Sequence, residues 1–320
     1  MKFFRLLACA LVSFGPPLVA TAQIVGTPPF TLRASNDTTN LPMGESFTVH
    51  RQVQEAQVRF MATDSTGRPV LDLRPEDIRV FDNQVRVPEL KSFALSQYQP
   101  LELAVLLDLS DSISSQEHKE ALIAADLMQG IFDARRDEAF VIGFSNKVRI
   151  LQSETTDIEL IRRAILRNPG QQGLTSLFDA IVQTCRTEFA RNDSQGRQRI
   201  LLLFSDGADT LSIHGADDAV SEARRARATI YAITTDDAGL DGFRNLQRLT
   251  EQTGGRVYVA PKKQGFEKLK IAMSQWVRGE YTISFRPASS SAGFHPVRIE
   301  LPVLRNVTLR ASTGYYMGAN

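Results

Sequence analysis

Leu101–Leu107 is apolar at every position except Glu102 and runs straight into Asp108-Leu109-Ser110-Asp111-Ser112. A strand that is apolar on both faces must be covered on both faces, which is the situation of an interior strand in a parallel sheet flanked by helices. In extended chain, residues i, i+2 and i+4 point the same way. Asp108, Ser110 and Ser112 can therefore offer three oxygens to one point beyond the strand's carboxyl end. A second apolar run, Ile200–Phe204, ends in Ser205-Asp206-Gly207, and Gly173-Leu174-Thr175-Ser176 lies between the two. Two carboxylates and three hydroxyls make an oxygen-only donor set. Such a set suits a hard divalent cation, Mg²⁺ first, with Mn²⁺ or Ca²⁺ as alternatives.

The surroundings of these runs define the fold class. Apolar strands are expected at Leu101–Leu107, Glu138–Phe144, Val148–Gln152, Arg199–Phe204, Thr229–Thr234 and Arg256–Val259. Amphipathic helices separate them: Ile123, Leu127 and Ile131 recur at helical spacing, as do Ile158, Ile161 and Ile165, and a last helix spans Phe266 to Trp276. Strand and helix in alternation imply a doubly wound, mostly parallel α/β sheet. The link at Ser145-Asn146 is too short for a crossover, so the strands it joins form an antiparallel hairpin. Ligands of such sheets bind beyond the carboxyl ends of the strands, where the strand order reverses. On either side the pattern is β. Val58, Phe60 and Ala62 alternate, although Met61 blurs the pattern. Ile78 and Val80 alternate before Asp82-Asn83, with Val85 and Val87 after it. Tyr281, Ile283 and Phe285, then Val297, Ile299 and Leu301, then Val307 and Leu309 come after the last helix. Three late strands make a poor core alone. The expectation is one small β-sandwich, built from residues 46–99 and 278–320, with the α/β region of 100–277 inserted between its strands.

Asp-x-Ser-x-Ser, then a Thr, then an Asp, each at a strand end or just before a helix, resembles the metal-ion-dependent adhesion site of the von Willebrand factor type A domain over roughly Leu101 to Val277. The flanks, Asp64-Ser65-Thr66-Gly67-Arg68-Pro69-Val70 ahead and Gly279-Glu280-Tyr281 through Gly314-Tyr315-Tyr316 behind, resemble the secreted von Willebrand factor A-related proteins of acidobacteria. The resemblance implies that Ser110, Ser112 and Thr175 ligate the ion directly and that Asp108 and Asp206 do so directly or through water. It also implies an open coordination position for an exposed Glu or Asp of a protein partner. The chain departs from the family at Asp111, where a small residue such as Gly is more usual. Asp111 and Asp209 are read as outward, solvated acids near the metal and are the candidate partner-facing residues. Each ligand has a plainer alternative: Ser112 or Ser114 could cap the next helix, and Thr175 could cap the one containing Phe178.

The first residues read as a secretory signal: Lys2 and Arg5, an apolar run from Leu6 to Val19, and Ala20-Thr21-Ala22, with cleavage near Ala22. Residues 23–45 are Pro-, Thr- and Asn-rich and read as a linker or flexible arm. No later run approaches the roughly 20 apolar residues of a membrane span, so a secreted or periplasmic location is expected. A net charge of +1 without a dense basic stripe excludes an electrostatic nucleic-acid binder. Arg224-Arg225-Ala226-Arg227 reads as a solvated helix face. Only Cys9 and Cys185 are present, and Cys185 shares a helical face with Phe178, Ile181, Val182 and Phe189, as a buried small hydrophobe would. None of His50, His118, His214 and His295 belongs to a zinc-type pair, and both Gly-x-Ser-x-Gly and a phosphate-cradling glycine loop are missing. The expected function is therefore a metal-dependent adhesion-type binding module and not an enzyme. The alternatives are a scaffold of an envelope or secretion assembly with a mainly structural metal, and a hydrolase or enzyme regulatory subunit.

Overall fold

A computed structural model describes residues 55–110, 115–167, 173–191, 196–234, 239–260 and 266–318. The expected signal segment, the arm of 23–45 and residues Asp111, Ser112 and Ser114 lie outside them. The described chain opens with β1 (Ala56–Thr63), β2 (Arg79–Asp82), β3 (Val85–Arg86) and β4 (Leu90–Leu95). The α/β part runs β5 (Leu101–Asp108), α1 (Ser115–Ile131), β6 (Glu138–Phe144), β7 (Val148–Thr155), α2 (Ile158–Leu166), α3 (Leu177–Gln183), α4 (Phe189–Arg191), β8 (Gln198–Phe204), α5 (Ala216–Arg225), β9 (Ala228–Thr234), α6 (Leu240–Thr253), β10 (Val257–Val259) and α7 (Phe266–Arg278). Four more strands complete it: β11 (Tyr281–Phe285), β12 (Gly293–Glu300), β13 (Thr308–Ala311) and β14 (Gly314–Met317).

The central sheet has the order β10-β9-β8-β5-β6-β7. All neighbours are parallel except β6 and β7, the antiparallel hairpin at Ser145-Asn146. Its strands divide their side chains with a period of two. On β5, Leu101, Leu103, Val105 and Leu107 enter the core beneath α1, α2 and α7, while Ala104 and Leu106 enter the opposite core beneath α3, α5 and α6. β8 does the same, with Ile200, Leu202 and Phe204 on one face and Leu201 and Leu203 on the other. The chain leaves β5 toward β6 and β7, then returns to β8 on the other side of β5. The strand order therefore reverses between β5 and β8, and the ends of these two strands border the crevice where such sheets bind ligands.

The strands before and after this region pair with each other. β1 lies between β11 and β13, with β4 beyond β11, and β2 lies between β12 and β3, with β14 beyond β12. Val58, Phe60, Ile78, Val80, Ile283, Phe285 and Tyr315 share one core between the two sheets. Phe60 stacks on Tyr281 with ring centroids 5.2 Å apart. β1 is buried on both faces: its alternate residue Met61 belongs to the α/β core and Arg59 reaches the backbone carbonyls of Arg199 and Arg227. The late β segment holds four strands instead of the three expected, the fourth being Gly314–Met317.

Arg224 and Arg225 are more than a solvated face. Their guanidinium groups lie over the rings of Phe294 and Tyr316, at 4.6 and 4.2 Å from the centroids, and tie α5 to β12 and β14. Cys185 is buried among the α3 residues named from the sequence, and that burial pushes its thiol well above the ordinary range. The native protein is accordingly expected to resist thiol reagents, with Cys185 labelled only at the rate of unfolding. Fast labelling in the absence of denaturant would contradict this packing.

Candidate metal centre

Asp108 is the last residue of β5, and its direction is set by the two residues after it, Leu109 and Ser110. The N–H of Leu109 continues the ladder to the Phe144 carbonyl at 2.8 Å, and the Leu109 side chain folds back over Gly143. A Cβ on Gly143 would lie 2.4 Å from Leu109 Cδ1, so the bare backbone there is what lets Leu109 turn inward and Asp108 and Ser110 turn toward the crevice.

Two hydroxyls then converge on the Asp108 carboxylate, and a third reaches it through one of them. Ser110 Oγ donates to Asp108 Oδ1 at 2.6 Å, and the Ser110 N–H reaches the same oxygen at 3.1 Å. Thr175 Oγ1 donates to Ser110 Oγ at 2.6 Å, and Ser205 Oγ donates to Asp108 Oδ2 at 2.7 Å. Ser110, Thr175 and Ser205 are buried. Burial pushes the Asp108 carboxyl up to about 6; the Ser110 and Ser205 hydrogen bonds oppose the rise, and the Asp206 charge adds to it. Among the described residues no Lys, Arg or His pairs with Asp108 or Asp206. A partly buried carboxylate facing a second one is costly without a countercharge.

Thr175 is positioned from the β8 side of the crevice. Its N–H donates to Thr210 Oγ1, and its carbonyl accepts the N–H groups of Thr210 and Leu211, each at 2.9 Å. The helix-cap alternative for Thr175 does not hold, because the residue preceding α3 is Ser176, whose hydroxyl is turned to the Ser145 carbonyl at 2.5 Å. Asp206 is exposed, and its Oδ1 accepts the Ala208 N–H at 2.8 Å in a tight turn. Gly207 makes that turn possible. Its φ is +83°, and a Cβ would lie 2.1 Å from the Gly242 carbonyl, so the Asp206 loop rests directly on the start of α6.

The structure thus brings together Asp108, Ser110 and Thr175 and places Asp206 on the adjoining loop; Ser112 and Asp111 lie outside the described residues. Asp209 is not the free solvated acid expected of it. Its Oδ1 accepts the Phe178 N–H at 3.2 Å and the Ser212 hydroxyl at 2.6 Å, so it caps α3. The sequence reading missed Ser205, Thr210 and Asp179. Ser205 precedes Asp206 and, by strand alternation, points to the opposite side, a signal that was legible. Thr210 and Asp179 act through loop geometry that no local pattern announces.

The donor chemistry fits a hard cation. Every convergent group is a carboxylate or hydroxyl oxygen, and among the described residues no three His, Cys, Asp or Glu side chains gather to form a softer or acid-only site.

Residues 103–208 match the sequence profile of the von Willebrand factor type A domain. None of the curated proteins matches the chain. Among solved structures, proximal thread matrix protein 1 from the mussel byssus is similar with a TM-score of 0.50 and 14% identity, over 61% of this chain and 50% of that one. The present chain therefore spans about half the length of that protein. A second structure of it, described as having a zinc-occupied MIDAS motif, gives 0.48 and 16% over 61% and 49% of the two chains. BatB from Bacteroides thetaiotaomicron gives 0.43 and 15% over 55% of this chain and 98% of its own. With the strand order, the switch-point crevice and the matched residues in agreement, this chain carries a von Willebrand factor type A domain.

Proposed function

We propose that this chain is an exported binding module, not an enzyme, in which Asp108, Ser110, Ser112, Thr175 and Asp206 hold Mg²⁺, or in its place Mn²⁺ or Ca²⁺, and present it to a Glu or Asp of a protein partner. The observation that supports this most is the buried chain of hydroxyls, Thr175 to Ser110 to Asp108, ending on a carboxylate that no described cation neutralises. Bound there, a divalent ion supplies a positively charged position that accepts a carboxylate oxygen. The protein's own part is orientation. Ser205 holds the second oxygen of Asp108, Thr210 and Leu211 clamp Thr175 through the backbone, and Gly207 seats Asp206 on α6. Export rests on the signal-like residues up to Ala22. Among the described residues no helix is long and apolar enough to cross a membrane.

Thr175→Ala gives the test. It removes one neutral oxygen, one hydrogen bond and a buried methyl but no charge, so the fold should lose only about 1–2 kcal/mol. Envelope proteins captured on the wild type in Mg²⁺ should be released by chelator and missing from the variant. Partners held equally by both proteins, with or without metal, would overturn the reading and place the interface elsewhere, as the scaffold alternative requires.

A further inference from the structure

Next to the metal centre the fold holds apolar side chains in water without an internal reason. Leu174 is 53% exposed, Leu211 42% and Ile213 93%. They are neighbours through the backbone, since Leu174 precedes Thr175 and the Thr175 carbonyl accepts the Leu211 N–H. The loop that carries them is tightly fixed. The Ser212 hydroxyl donates to Asp209 at 2.6 Å and accepts the Asp179 N–H at 3.0 Å. Asp179 in turn accepts the N–H groups of Ile213 and His214, each at 3.0 Å, and meets the His214 ring at 2.7 Å. A loop bonded this closely presents Ile213 outward as a fixed feature, and exposed apolar clusters of this kind mark contact surfaces. The β6–β7 turn adjoins the same segment, with the Ser145 carbonyl accepting the Ser176 N–H at 2.9 Å. Asn146 borders Gly173, and the exposed Lys147 has no carboxylate within salt-bridge distance among the described residues.

We propose that the partner segment carries a large aliphatic or aromatic residue within two positions of its Glu or Asp, so that the carboxylate meets the cation beside Thr175 while the apolar side chain covers Leu174, Leu211 and Ile213. The inference rests on the metal-dependent binding proposed above and adds the partner's class: an acidic-apolar protein segment. Charge favours this occupant, because the cation and Lys147 both complement the carboxylate, whereas a purely apolar surface would leave them unmatched.

A random peptide library displayed on phage, panned on the full chain in Mg²⁺ and eluted with chelator, tests both levels. The enriched sequences should pair Asp or Glu with Leu, Ile, Val, Phe or Trp within two positions. A synthetic peptide from that set should bind the Leu174→Ser, Ile213→Ser double variant about tenfold more weakly, the loss of one well-covered aliphatic contact. Mg²⁺ affinity by calorimetry should be unchanged, since both changes are on exposed side chains. Chelator-eluted peptides without apolar bias, or equal affinity for the double variant, would overturn the acidic-apolar pairing and leave the metal-dependent reading standing. Peptides that stay bound in chelator would overturn both. A wild-type dimer that becomes monomeric in the double variant would show that the patch joins two copies of this chain, and would also overturn the proposal.

Discussion

Asp108→Asn should remove all cation-induced stabilisation while leaving the metal-free protein within about 1 kcal/mol of the wild type. The asymmetry comes from the different part the side chain plays in each state. Without metal, Asp108 accepts from Ser110 and Ser205. An Asn can accept the Ser110 bonds through its Oδ1 and offer its amide to Ser205 Oγ, so little is lost and a buried charge disappears. With metal, the carboxylate charge is the main attraction for the ion, and an amide does not replace it. At a cation concentration about 100 times the dissociation constant, the wild type gains about 2.7 kcal/mol by mass action. For a domain of this size that is a rise of about 5–10 °C in melting temperature. Thermal melts of both proteins with Mg²⁺ and with chelator are the measurement. A variant that keeps the wild-type shift would remove Asp108 from the metal centre.

Much of this site could be read from residue order because its key positions lie on or beside regular strands. β5 and β8 are apolar on both faces, so their ends were easy to locate, and alternation then told which of Asp108, Leu109 and Ser110 share a side. Asp206 came from the strand end alone, since alternation puts Ser205 on the Asp108 side. The loops were another matter. Asp209 looked like a solvated acid because nothing local in Gly207-Ala208-Asp209 reveals that α3 begins against it. The β-rich flanks were legible where one face is core and the other more open, as around Val80. They became obscure where a strand serves two cores. Met61 breaks the alternation of β1 because it packs into the α/β core, and Arg59 is buried because β1 forms part of the junction. β4 escaped notice as an edge strand whose partly exposed residues carry no period.

That junction yields the second large expected effect. Glu280, just after α7, is buried against β8 and β9, where Gln198 Nε2 and the Tyr231 hydroxyl donate to its two oxygens at 2.5 Å each. Burial pushes its carboxyl up from the ordinary 4.5 to about 7; the Arg59 charge and the bonds from Tyr231, Gln198 and Thr229 limit the rise. A raised folded-state value means that the native protein holds this proton after the unfolded chain has released it. The stabilising contribution is thus complete below about pH 4.5 and is lost as the pH rises toward and through 7. Glu280→Gln cannot titrate. Its amide can also donate to Gln198 Oε1, which has no partner among the described residues, once the Gln198 amide turns over. Whatever constant offset arises from leaving Arg59 without its acid, the stability of the variant relative to wild type should increase by about 2–3 kcal/mol between about pH 5 and about pH 8. Urea unfolding of both proteins across that range measures the difference directly, because every other titrating group is common to the two. A flat difference would mean that Glu280 is ionised throughout, with Arg59 outweighing burial, and that the junction is held by an ion pair instead of a shared proton.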